Sequence, residues 1–355
     1  MDDGVSFGYW VPYTLRKRDI IIALIKTRFK KVTHTFGIDI PTSIKHALGI
    51  DRINQNTFWR DVLELEMMNV GISFDILDEN DVIPPGWSKI TGHVIFDCKM
   101  DMTRKARWVL DGHKTPEPLH STYDGVASQE SVRIVLTYAA INDLDVTCAD
   151  IRNSYLQAPS SQKDYIICGP DFGIENMGKK ALIKRALCGG KSAGRDFRNH
   201  LRSCMLHLKF QPCLADPDVW MRPIKKSNGS PCYKYMLLYT DDALVVNENG
   251  KKVLRDGIGK YFELKELSIG LPNQYLGGNM RKVELTNGVH AWAFSSSRYV
   301  TEVVKNVERQ LVNNGFKLPR KAETPLQTSY CPEIDTTPES SPTNAAYYKS
   351  LIGML

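Results

Sequence analysis

The stretch Tyr233–Lys234–Tyr235–Met236–Leu237–Leu238–Tyr239–Thr240–Asp241–Asp242–Ala243–Leu244–Val245–Val246 decides how this chain is read. Two apolar, β-type runs, Tyr233 to Tyr239 and Ala243 to Val246, are separated by very few residues, which predicts a β-hairpin. Strands this apolar are buried, so Asp241 and Asp242 sit on the rim of a core rather than in free solvent. Asp is also common in tight turns, because its short side chain tolerates the geometry. A purely structural role therefore stands beside a chemical one.

Upstream, Ser128 caps a predicted helix running to about Asn142, with Glu130 in its first turn and Val132, Val135, Leu136 and Ala139 at helical spacing. A short strand, Leu144 to Ala149, then delivers Asp150 to its end. If that strand neighbours the hairpin, three carboxylates converge. Unit charges about 4 Å apart repel by roughly 4 kcal/mol at an effective dielectric of 20, so such a cluster implies protonation or a bound cation. All-carboxylate ligation with open positions suits Mg²⁺ or Mn²⁺, not zinc. Two such ions on shared aspartates are the apparatus of in-line phosphoryl or nucleotidyl transfer, one activating a hydroxyl and the other holding the triphosphate and leaving group.

Farther out, Trp59 to Met68 reads as a helix with apolar Leu63, Leu65 and Met67–Met68, and Pro84–Pro85–Gly86 marks a turn. Strand texture begins at Val94 to Phe96 and returns at Trp108 to Leu110, with Lys99, Arg104, Lys105 and Arg107 between them. Gly194 to Leu208 is a second amphipathic helix. Another is expected from about Lys251 to Phe262, with Val253, Leu254, Ile258 and Tyr261 as its inner face. A hairpin is expected around Asn287–Gly288. Half the residues between Leu326 and Ala345 are Ser, Thr or Pro, the composition of a linker. The chain has 355 residues and a net charge of +6. That predicts two or three domains and excludes a histone-like tail or an acidic solvating chain, while leaving nucleic acid open as a partner. The densest positive charge lies in the first thirty-five residues, at Arg16, Lys17, Arg18, Lys26, Arg28, Lys30 and Lys31. It reads either as a phosphate-backbone footprint or as the solvated face of a helix. No apolar run approaches the roughly 18 residues of a membrane span, and no signal peptide is expected. The eight cysteines form no CxxC pair and read as buried free thiols of a reducing compartment.

Several segments stand in order and at suitable intervals: Phe96–Asp97–Cys98–Lys99–Met100–Asp101, Arg104–Lys105–Ala106–Arg107, Asp150 to Leu156, Leu214 to Trp220, Tyr239 to Asp242, and Tyr275–Leu276–Gly277–Gly278. Together they resemble the reverse transcriptase domain of copia-type LTR retrotransposon polyproteins, over about Trp59 to Leu355. The resemblance implies an α+β right-hand polymerase with fingers, palm and thumb and a split βαβ palm sheet. It implies fingers and palm at 59–265 and a thumb-like region at 266–325; charge makes 1–58 a basic leader, and composition makes 326–355 a linker with the expected severed start of a following region. Asp150, Asp241 and Asp242 would be the catalytic, metal-binding aspartates of two Mg²⁺ or Mn²⁺ ions, with the Ile151 carbonyl as a further ligand. Tyr155 would screen the sugar 2′ position, or else serve as a core aromatic. Arg107, and with it Lys105, would hold the incoming triphosphate, an arginine fork suiting phosphate oxygens. The implied partners are a primed RNA or DNA template and deoxynucleoside triphosphates, with no membrane. The implied setting is the cytoplasm, virus-like particles or the nucleus.

Two departures from the family pattern stand out. Leu187–Cys188–Gly189–Gly190–Lys191–Ser192–Ala193 keeps Lys191, a nucleotide-binding candidate, but lacks the family's tyrosine and proline. Thr240 replaces the commoner valine and is expected to leave the turn intact. Gly190–Lys191–Ser192 is no phosphate-binding loop, because Arg185 stands where that motif needs glycine. His200, Cys204 and His207 share a helix face near Cys213, but interleaved Leu201, Met205 and Leu208 favour packing over zinc. Two other functions compete with polymerisation: an inactive truncated remnant that only binds nucleic acid, and a metal-dependent nuclease, which would leave Tyr155 and Arg107 without a role.

Overall fold

The computed structural model describes residues 34–35, 38–99, 103–115, 122, 125–275, 278–286, 288, 290–313, 315–318, 341 and 347–348. The basic cluster at 16–31, the linker apart from Ser341, Met100–Asp101, Leu276–Gly277, Asn287 and Cys331 lie outside the described residues. Two units interleave along the chain: 1–126, 151–211 and 260–263 form the first, and 127–150, 212–259 and 264–355 the second.

The first unit begins with β1 (His34–Thr35), β2 (Ile38–Asp39), α1 (Ile44–Asn54) and α2 (Phe58–Gly71). Ser43 caps α1, its Oγ accepting the His46 backbone N–H at 3.2 Å. Thr57 makes no side-chain cap for α2; instead the buried Asp51 carboxylate accepts the N–H groups of Trp59 (3.1 Å) and Arg60 (2.9 Å). A carboxylate at a helix start satisfies orphan donors and suits the dipole. There follow β3 (Phe74–Ile76), β4 (Ser88–Lys89), and the hairpin β5 (Gly92–Cys98) and β6 (Arg104–Leu110). Strict alternation sends Val94, Phe96 and Cys98 inward, together with Ala106, Trp108 and Leu110, where Trp59 meets Phe96 edge-on at 5.6 Å. Each fully buried large side chain contributes about 1.5–3 kcal/mol.

In the second unit, Ser128 caps α3 (Gln129–Ile141), which leads into β7 (Asp145–Asp150). The chain returns to the first unit for β8 (Asp164–Ile167), β9 (Lys180–Ile183) and α4 (Ala193–His207). There, four strands lie in the order β3–β9–β8–β4. The remaining elements are β10 (Gln211–Pro212), β11 (Val219–Lys225), β12 (Pro231–Tyr239), β13 (Asp242–Asn247), α5 (Gly250–Asp256), β14 (Gln274–Tyr275), β15 (Gly278–Glu284), β16 (His290–Ser295) and α6 (Ser297–Asn313).

Helices and mostly antiparallel sheets make the protein α+β. The central sheet runs β10–β11–β12–β13–β7. β13 pairs antiparallel with both β12 and β7, so β7 and β12 run parallel with β13 inserted between them. Val132, Val135, Leu136 and Ala139 of α3, the residues whose spacing predicts its inner face, share a core with Leu237, Leu244 and Val246. The helix expected over Lys251–Phe262 is shorter. It stops at Gly257, whose ψ of −102° leaves the helical region, and a 3₁₀ turn at Ile258–Lys260 follows. That break shifts the phase: Leu254, Ile258 and Phe262 are buried, whereas Tyr261, expected inside, is exposed. Among the described residues no helix is long and apolar enough to cross a membrane.

Candidate active site

The hairpin turn is Thr240–Asp241, closed by the Tyr239–Asp242 pair, so Asp242 is the first residue of β13 rather than part of the turn. The β13–β7 register places Asp242 directly opposite Asp150. Such partners carry Cβ atoms roughly 4.5–5.5 Å apart on one face. Burial, reinforced by the charges of Asp241 and then Asp150, pushes the Asp242 carboxyl up to about 6, with Lys265 acting the other way. Asp150 Oδ2 accepts the Lys265 ammonium at 2.7 Å, while its Oδ1 is buried with no hydrogen-bond partner among the described residues. Among the described residues no group of three His, Cys, Asp or Glu side chains stands ready to hold a metal ion. A buried, unpartnered carboxylate oxygen beside a carboxyl that resists ionising is nevertheless the electrostatic demand that a hard cation meets.

Thr240 has φ of 51°. The turn forms as expected, but a β-branched residue is strained in the left-handed region, so Thr240 is not neutral to the backbone.

The residues that seat Asp150 escape sequence reading. Segment 265–270 runs along the free edge of β7. The Asp150 N–H donates to Ser268 Oγ at 2.8 Å, and the Lys265 N–H donates to the Asp150 carbonyl at 2.9 Å. Cys148 and Gly270 exchange both backbone bonds, at 2.8 and 3.1 Å. Glu266, next to Lys265, pairs with Arg255. Nothing in the spacing links Lys265 to Asp150, because only the ladder brings them together. Tyr275 is buried in the same core with its hydroxyl unpartnered among the described residues. Burial and the neighbouring Asp242 and Cys148 push its ionisation upward.

The basic candidates belong to the first unit. Lys105 and Arg107 alternate with buried Ala106 and Trp108 on β6, sharing one face of the strand. Near them lies Glu66, which accepts the Trp108 backbone N–H at 2.9 Å; burial raises its carboxyl while Lys105 and Arg107 pull it down. Cys188 is also close, its thiol raised by burial and favoured for ionisation by Arg107 and Lys105. The Cys188 carbonyl accepts the Leu110 N–H at 2.8 Å. Lys191 donates to the Thr115 carbonyl at 2.8 Å. Ile151 is buried. Tyr155 lies on the 3₁₀ turn Ser154–Gln157, half-buried and edge-on to Phe197 at 6.0 Å. The His200 and His207 rings face Phe262 and Tyr261, and burial pushes the Cys204 thiol up to about 11.

The register thus brings Asp150 and Asp242 together with Asp241 in the adjoining turn, in the second unit. Arg107 and Lys105 are neighbours in the first, which also holds Tyr155, Lys191 and Ile151. Comparison with known proteins gives this geometry a family. The sequence profile of the reverse transcriptase (RNA-dependent DNA polymerase) family matches residues 79–321, more than half of the chain. The retrovirus-related Pol polyprotein from transposon TNT 1-94 of Nicotiana tabacum is 27% identical over 268 residues, which cover 73% of this chain and 19% of that protein. The retrovirus-related Pol polyprotein from transposon RE1 of Arabidopsis thaliana is 24% identical over 292 residues, 78% of this chain and 18% of that protein. The chain spans about a fifth of the length of the curated relatives it matches. The matched profile spans the β6 basic residues, the Asp150 strand and the Tyr239–Asp242 hairpin, and with it the chain belongs to the reverse transcriptase (RNA-dependent DNA polymerase) family, in its copia-type retrotransposon branch.

Proposed function

We propose that this chain extends a primer 3′-hydroxyl with deoxynucleotides on an RNA or DNA template. The observation that carries the reading is the pairing of Asp242 opposite Asp150, with Asp241 in the turn beside it. Asp150, Asp241 and Asp242, with the Ile151 carbonyl, would hold two Mg²⁺ or Mn²⁺ ions. The unpartnered Asp150 Oδ1 and the hard oxygen donors fit that role. Divalent ions bound there would favour ionisation of the primer hydroxyl and neutralise charge on the departing pyrophosphate.

The protein's own groups bind and orient. Arg107 offers a planar fork to triphosphate oxygens and Lys105 a second positive charge, both on the polar face of β6. Tyr155 would set its ring under the ribose, admitting deoxyribose and clashing with a 2′-hydroxyl. Lys191, whose ammonium donates to the Thr115 carbonyl at 2.8 Å, would contact the nucleotide from the 187–191 segment. β7, β13 and β12 in their parallel–antiparallel order are what a split βαβ palm requires. On that reading 59–265 is fingers and palm and 266–325 the thumb-like region. Template and primer are held through their phosphates, inside the cell.

Extension of an oligo-primed RNA template is the direct test. The wild type is expected to lengthen the primer with Mg²⁺ or Mn²⁺, and Asp241→Asn to slow extension by about a thousandfold, a magnitude typical for losing a residue of the reacting centre. Equal extension by Asp241→Asn sinks the reading. Shortening of an end-labelled substrate would instead reveal a nuclease, and salt-sensitive binding without extension a silent remnant.

A further inference from the structure

The contact at Asp150 Oδ2 is made by a lysine that the backbone itself sets in place. The Lys265 N–H is bonded to the Asp150 carbonyl at 2.9 Å, and Ser268 Oγ accepts the Asp150 N–H at 2.8 Å while donating to the Lys265 carbonyl at 2.6 Å. From this anchored position the ammonium reaches Oδ2 at 2.7 Å. Its sequence neighbour Glu266 is paired with Arg255. The Lys265 side chain is 51% exposed, so it has a way out to water, whereas Asp150 is 28% exposed and keeps one oxygen buried.

We propose that Lys265 is a resident counter-cation for Asp150, a positioning residue that holds the carboxylate until a divalent ion displaces it, and that thereby sets the affinity of the site for that ion. The inference rests on reading Asp150, Asp241 and Asp242 as ion ligands. Two positive charges competing for one carboxylate repel one another, so occupancy by the ion and by the ammonium are alternatives. The ammonium also offsets part of the repulsion between the facing aspartates.

The test is calorimetric titration of the metal-free chain with Mn²⁺ alone, without nucleic acid or nucleotide. Lys265→Met is expected to bind Mn²⁺ roughly fivefold tighter, the scale of a partly exposed ion pair. Its metal-free form should melt below the wild type, with the gap narrowing at saturating Mn²⁺. Lys265→Arg, which keeps the charge, should restore the wild-type affinity to within about twofold. Unchanged or weaker Mn²⁺ binding by Lys265→Met overturns the inference. Lys265→Gln is a second neutral variant, and failure of both neutral variants to fold also overturns it, since a cation the fold cannot lose cannot yield to an ion. Asp150→Asn separates the two readings. If it binds Mn²⁺ like the wild type, the ligand assignment itself fails. If it loses binding while Lys265→Met is unchanged, only the role of Lys265 fails.

Discussion

The hairpins β12–β13 and β5–β6 follow the same antiparallel plan but position their charges by different means. The acids of the second unit depend on register: Asp242 meets Asp150 only because β13 lies against β7, and a slip of one residue would turn every side chain to the opposite face. The cations of the first unit depend on alternation within β6, which any extended conformation provides. Asp242 is consequently tied to Asp150 and to the core, whereas Arg107 is exposed. What β6 does depend on is a backbone crossing. Gly189 has φ of +84°, and a Cβ there would stand 2.2 Å from the Leu110 carbonyl oxygen; a Cβ on Gly112 would stand 2.1 Å from the Gly189 carbonyl oxygen.

That difference can be broken from either side. Gly189→Ala strikes the crossing with a steric clash and an unfavourable φ together, and is expected to destabilise the protein by about 3 kcal/mol, measured by urea denaturation. Because the Cys188 carbonyl holds the end of β6, the variant should also weaken deoxynucleotide use. A loss below about 1 kcal/mol would mean that the crossing is not rigid. On the acidic side, Asp242→Asn should act in the opposite sense, stabilising the metal-free protein at pH 7 by about 1–2 kcal/mol after allowance for solvent screening, while removing extension. The direction follows from a carboxyl raised to about 6 in the fold against an ordinary value near 3.8. Its contribution to stability is fully present below about pH 4 and is lost as pH rises through 6. Wild-type stability should therefore fall relative to Asp242→Asn across that window. Parallel stability curves from pH 4 to 8 would show that burial and the neighbouring aspartates do not raise the Asp242 carboxyl.

The legibility of the chain follows the same division. The strands around Asp241–Asp242, the α3 cap at Ser128 and the core face at Val132, Val135, Leu136 and Ala139 are readable because period and capping are local properties. Asp150 is readable as a strand-end acid, but its partner is fixed by sheet order, which no local pattern encodes. Lys265 and Ser268 escape for the same reason: their contacts to β7 run through tertiary pairing. The helix expected to reach Phe262 fails at Gly257, where apolar spacing continues past a residue of poor helix propensity and tertiary packing decides the phase. The Asp51 cap of α2 is likewise supplied from another helix, out of reach of a rule that looks at Thr57.

The smallest effect isolates the turn from the strands it joins. Thr240 holds φ of 51°, so the strain lies in one residue, whereas the flanking ladder from Tyr235–Val246 to Tyr239–Asp242 is regular. Asn tolerates the left-handed region through its short polar side chain, and Thr240→Asn is expected to stabilise the protein by about 0.5–1 kcal/mol. Thr240→Val is as β-branched as threonine and should leave stability within about 0.5 kcal/mol of wild type. Urea denaturation of the pair discriminates two sources of strain. A gain with Asn alone assigns it to the backbone at position 240, leaving the Asp242–Asp150 register undisturbed. A gain with both would assign it to the threonine hydroxyl, and the carboxylates would then owe their placement to the ladder with no contribution from a strained turn.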